Sequence, residues 1–161
     1  MGLFNTIKNN VEIMKKDLLP KSKDSKLQKR ELKKETFPVM GVQYYQQNLN
    51  KLRSVNPEYK KKTYDGYVTV YKYNFINKPV KLIPEPKNKH DKNAVQVVIA
   101  GELIGYISRE DNVHVKTILN KHEVKYISAF IHGGEYKTVS LNGTTVKNEE
   151  EVSVRVTIAY V

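Results

Sequence analysis

Ala94-Val95-Gln96-Val97-Val98-Ile99-Ala100, then Gly101-Glu102, then Leu103-Ile104-Gly105-Tyr106-Ile107: this stretch decides the fold class. Two short runs rich in Val and Ile, separated by a glycine-containing turn, read as a β-hairpin and not as a helix. Working outward, Val80-Lys81-Leu82-Ile83-Pro84 is a further strand, and Tyr67 to Phe75, dense in Tyr, Val and Thr, is a long one. After the hairpin, Ser108 followed three residues later by Asp111 resembles a capping box and predicts a helix over Arg109–Asn120, with Val115, Ile118 and Leu119 turned inward. Val124–Ile131, Thr138–Leu141 and Val152–Val161 read as the last strands, with Asn142-Gly143 as a hairpin-type turn. Six to eight short strands around one helix suggest a mainly β protein with helices, folded as a small closed or nearly closed barrel.

The flanks differ in composition from this core. Of 161 residues, 28 are Lys or Arg and 17 Asp or Glu, a formal net charge of +11. Residues 1–36 hold ten bases and five acids, so +5 belongs to them and +6 to residues 37–161. Phe4, Ile7, Val11, Met14 and Leu18 fall at helical spacing and predict an added N-terminal amphipathic helix, stopped by Pro20 and followed by a charged connector over Lys21–Glu35. The domain is therefore expected to occupy residues 37–161. The apolar stripe of the helix fits docking on its own domain, self-association or a membrane surface.

Several function classes are disfavoured. With no cysteine there is no disulfide, thiolate metal site or thiol nucleophile. No apolar run is long enough to span a membrane, and the N-terminus has no secretory pattern; a soluble cytoplasmic protein is expected. His90, His114, His122 and His132 show no metal-ligand spacing. No phosphate loop or nucleophile elbow occurs, so neither a metal, a cofactor nor an enzymatic activity is expected. The basic balance points to a polyanion. Within Leu82–Val97, two prolines and several Asn and Asp residues make a rigid polar loop. Asp91 in it is either a structural acceptor of backbone N–H groups or an acceptor for a ligand hydroxyl.

Three motif blocks carry a family resemblance: Gly41-Val42-x-Tyr44-Tyr45; Glu85-Pro86-x-Asn88-x-x-Asp91-x-Asn93-Ala94-Val95-x-Val97; and Gly101-x-x-Ile104-Gly105-Tyr106-Ile107. In this order they resemble the HIRAN domain, over roughly residues 37–140. The resemblance implies an OB-like β-barrel that binds single-stranded DNA and captures its 3′-hydroxyl end, in repair, replication or mobile-element biology. It implies that Tyr44 and Tyr45 are the tyrosine pair beside the DNA. By the same resemblance Asp91 is the acid that meets the terminal hydroxyl, and Asn88 belongs to the same pocket loop. Arg109 matches a phosphate-contacting base, and Tyr106 a polar ring. His90 stands where a stacking aromatic is expected, Gln43 where an arginine is expected, and His132 near an aromatic that closes over the end base. A helicase or nuclease acting in trans is the implied protein partner. Read from the residues alone, a protein-interaction or oligomerisation module without nucleic-acid binding stands as the alternative.

Overall fold

The computed structural model describes residues 30–75 and 78–161, and the predicted N-terminal helix with its Phe4–Leu18 stripe lies outside them. Among the described residues nine strands form: β1 (Lys33–Met40), β2 (Arg53–Val55), β3 (Val68–Tyr71), β4 (Tyr73–Phe75), β5 (Val80–Pro84), β6 (Val95–Ile99), β7 (Glu102–Ile107), β8 (Val124–Val139) and β9 (Thr145–Tyr160). Two helices join them, α1 (Gln46–Asn50) and α2 (Asn112–Lys121).

The opening hairpin forms, with its turn one residue earlier than expected. Ile99 pairs with Glu102, so Ala100 and Gly101 are the two turn residues, and both take positive φ, 49° and 88°. That backbone matches the right-handed twist of the flanking strands. Alternation along β6 buries Val95, Val97 and Ile99. They meet Ile104 and Ile107 of β7, Val115 and Ile118 of α2, and Phe37, Val39, Val154, Val156 and Ile158 of β1 and β9 in one core.

Seven strands make one antiparallel sheet in the order β3-β8-β9-β1-β7-β6-β5. β1 joins its halves: Lys33 to Pro38 pair with β9, and Val39 and Met40 with β7. The exchange falls just after Pro38, a residue without an N–H to give to a ladder. At the crossing β1 lies so close to β7 that a Cβ on Gly105 would sit 2.5 Å from the Met40 carbonyl oxygen and 2.8 Å from Val39 Cγ1.

Several expectations are corrected. The sheet is not closed among the described residues: its end strands β3 and β5 do not pair. The expected single strand Tyr67–Phe75 breaks at Lys72, where Asn56 bonds to the carbonyls of Tyr71 and Lys72, and the chain continues as β4 in a separate ribbon with β2. β1 begins at Lys33, inside the predicted connector, because Glu35 is tied down by the Tyr160 hydroxyl and by His114. The helix starts at Asn112, since Ser108 first closes a turn: its carbonyl accepts from the Asp111 and Asn112 N–H groups. β8 and β9 are longer than predicted and form one hairpin around Ser140–Thr144. The half of β9 from Thr145 to Glu151 pairs with β8 on one side only, because β1 reaches no farther than Arg155.

Candidate nucleic-acid interface

The loop from Pro84 to Ala94 is fixed by its own polar groups. Glu85 N–H donates to the Ala94 carbonyl (2.8 Å), and Ala94 N–H to the Asp91 carbonyl (3.0 Å). Asn88 Oδ1 accepts from the backbone N–H of His90 (2.9 Å) and Asp91 (3.1 Å), while its Nδ2 donates to Glu85 Oε2 (2.8 Å). Asn88 is thus largely occupied in shaping the loop, as asparagine does in turns. Asp91 Oδ1 accepts from the Asn93 N–H (2.8 Å), and Oδ2 from Nδ2 of the buried Asn112 (2.7 Å). A carboxylate offers about four acceptor sites, so these two bonds orient Asp91 and leave it capacity for a ligand hydroxyl.

Facing this loop, Gly41 enters a 3₁₀ turn, Val42–Tyr45, in which Val42 is buried. The turn throws Tyr44 outward, 81% exposed, and points Tyr45 at Tyr106, ring centres 6.4 Å apart and tilted 51°. The Tyr106 hydroxyl donates to Glu85 Oε2 (3.3 Å). Burial is the main reason the Tyr106 phenol titrates above its ordinary value, with the nearby Tyr45 and Glu85 acting in the same direction. Residues Ser108 to Asp111 form the opposite rim, Ser108 Oγ donating to Asp111 Oδ2 (2.6 Å). Between these walls lies an open cleft of about 770 Å³.

Seven of the nine residues singled out from the sequence line this cleft: Tyr44, Tyr45, Asn88, His90, Asp91, Tyr106 and Arg109. Gln43 does not; it borders an adjoining depression with Gln46, Gln47 and Asn48, behind the same two tyrosines. His132 lies elsewhere, on β8, with Nε2 3.1 Å from both the Tyr71 hydroxyl and Glu150 Oε1. Tyr71 donates to that carboxylate (2.8 Å), and this bond, with burial, pushes its phenol up to about 12. Glu85, known from the sequence only as part of a motif block, accepts on Oε2 from both Asn88 Nδ2 and the Tyr106 hydroxyl. Sequence reasoning missed Asn112 altogether, because an asparagine in the first turn of a helix carries no signal of what it faces. Met40 and Pro38 also line the cleft, at the point where β1 changes partner.

The pattern of an exposed ring, a ring pair, an oriented carboxylate and a rim cation can be compared with known proteins. The profile of the HIRAN domain matches residues 35–157. The chain belongs to the HIRAN domain family. HIRAN domains form a family of DNA-binding modules. Among solved structures, the crystal structure of the HIRAN domain of human HLTF is similar at 17% sequence identity, covering 79% of this chain and 75% of that chain, with a TM-score of 0.37. No curated protein matches the chain. The HIRAN match begins two residues after the start of β1 and contains the whole cleft. Among the described residues there is no cluster of three or more His, Asp or Glu that could hold a metal, and no helix long and apolar enough to cross a membrane.

Proposed function

We propose that this HIRAN domain is a non-enzymatic DNA-binding module that takes the end of a single strand into the cleft, with the terminal 3′-hydroxyl on Asp91. The observation that carries the reading is the setting of Asp91: a carboxylate oriented from two sides, within a cleft that also holds Tyr44 and Arg109. A hydroxyl donates to a carboxylate, whereas a terminal phosphate would bring a second anion against it. Tyr44 gives a base a sequence-tolerant platform, worth about 1–3 kcal/mol per stacked base. His90 offers a smaller second face, and Arg109 a cation for a phosphate.

The test is fluorescence anisotropy at low salt with oligonucleotides bearing a free 3′-hydroxyl, a 3′-phosphate or a duplexed end. The free hydroxyl end is expected to bind tightest, and Tyr44→Ala to weaken it by about fivefold or more at unchanged melting temperature. Equal binding of all three ends, unaltered by Asp91→Ala, would remove end capture. Absence of binding to any of them would remove the DNA reading.

A further inference from the structure

Beyond the cleft, the outer face of β8, β9 and β1 carries a second set of exposed groups. Pro38 lies opposite Arg155, and Arg155 opposite Phe130. Residues directly opposite one another share a face of the sheet, and all three are exposed. Two residues along, Thr36, Thr157 and Ser128 form the next row, the two threonine hydroxyls 2.8 Å apart. The row after that holds Lys34, Ala159 and Tyr126, with Lys34 Nζ 5.6 Å from the centre of the Tyr126 ring.

Phe130 is 65% exposed and Tyr126 43%. Exposed apolar side chains scattered singly need no explanation. These two share one strand face, flanked by Lys34 and Arg155, and the three rows contain no carboxylate. Arg155 makes no ion pair among the described residues. Acid lies beyond both ends of these rows: past His132, which stacks on Phe130 (5.9 Å, 12°) and faces Glu150, and at Glu123, whose backbone pairs with Val161 and whose carboxylate is met by Lys125. Exposed rings beside cations that make no ion pair among the described residues suit a single-stranded nucleic acid: the rings stack bases and the cations meet phosphates.

The face is also continuous with the cleft. Pro38 belongs to both, and Phe130 stands two strands from it, about 10 Å at ordinary strand spacing. We infer that this face is a second binding surface, a track for the single strand where it leaves the cleft. Phe130 and Tyr126 act as base platforms, and Arg155 and Lys34 as phosphate partners. The inference rests on the cleft reading, because the cleft delivers the strand to the track.

The experiment compares a labelled dT12 with a free 3′-hydroxyl, followed by anisotropy, and an unlabelled d(TT) that competes with it. The dinucleotide is too short to occupy both cleft and track. Phe130→Ala and Arg155→Gln are each expected to weaken dT12 by about fivefold or more and to leave the inhibition constant of d(TT) unchanged. Phe130→Trp, which keeps a platform, restores dT12 binding, and the melting temperature of all three variants stays at the wild-type value. Wild-type dT12 affinity in Phe130→Ala overturns the track and leaves the cleft standing. Equal weakening of dT12 and d(TT) also overturns it, since Phe130 would then act on the cleft itself. If the wild-type protein binds neither, the cleft reading falls and the track with it.

Discussion

Asn112 holds Asp91: its side-chain amide, in the first turn of α2 and 2% exposed, donates to Asp91 Oδ2 at 2.7 Å. The other amide atom, Oδ1, is buried without a hydrogen-bond partner. A buried acceptor with no donor costs free energy, so this asparagine is poorly explained by stability alone. Asn112→Leu removes the orphan acceptor together with the bond to Asp91. Its unfolding free energy is expected within about 1 kcal/mol of the wild type. The preference for a 3′-hydroxyl over a 3′-phosphate, read as a ratio of dissociation constants, is expected to fall by about fivefold or more. A purely structural asparagine would lower stability and leave that ratio alone.

Arg109 is exposed at the cleft mouth. If it neutralises one phosphate, Arg109→Gln reduces the slope of log affinity against log salt by about 0.7, the value for one contact on a single strand. Affinity falls for every base composition alike. Titrations of dT12 and dA12 across a series of salt concentrations measure both effects.

Gly105 is placed where β1 crosses to β7. A methyl group there would lie 2.5 Å from the Met40 carbonyl oxygen, so Gly105→Ala forces the two strands apart. A loss of about 1–3 kcal/mol is expected, seen as a lower denaturation midpoint. Met40 and Tyr106, paired across this junction, both line the cleft, so DNA affinity drops along with stability.

Glu35 joins β1, β9 and α2. The Tyr160 hydroxyl bonds to its Oε1 and His114 Nε2 stands 2.7 Å from its Oε2; with the nearby charges of His114 and Lys33 they hold its carboxyl below the ordinary value of 4.5, against the opposing effect of burial. Since the folded state lowers this pKa, the stabilisation is complete above about pH 4.5 and is lost as the pH falls through the folded value. Melting temperatures between about pH 6 and pH 3 are therefore expected to fall more steeply for the wild type than for Glu35→Gln, which cannot titrate. Parallel curves would mean that Glu35 has no part in the acid limb.

How much of this was legible in the sequence differs from element to element. The β6–β7 hairpin announced itself through Val and Ile, but its turn moved by one residue because alanine at positive φ is not a turn signal. The outer half of β9 was not legible: Thr145 to Glu151 is exposed throughout, so no apolar alternation marks it as strand, and pairing with β8 alone defines it, whereas the outer end of β8 was read as a strand from Thr138 on. For the cleft, the motif blocks named residues that the fold brings together from the 3₁₀ turn, the Pro84–Ala94 loop, β7 and the start of α2. His132 was misplaced relative to them because a long hairpin carries it away along β8. Asn112 became visible only through packing, since its contact to Asp91 spans 21 residues of chain.

The one-sided half of β9 has a final consequence. The strand edge from Thr145 to Glu151, which no other strand among the described residues pairs, offers backbone donors and acceptors to an extended chain. A second copy laid antiparallel about Glu150 would set Glu149 of each chain against Glu151 of the other, and like charges directly opposite repel. The run Glu149-Glu150-Glu151 thus places repelling charge where the sheet would otherwise extend from copy to copy.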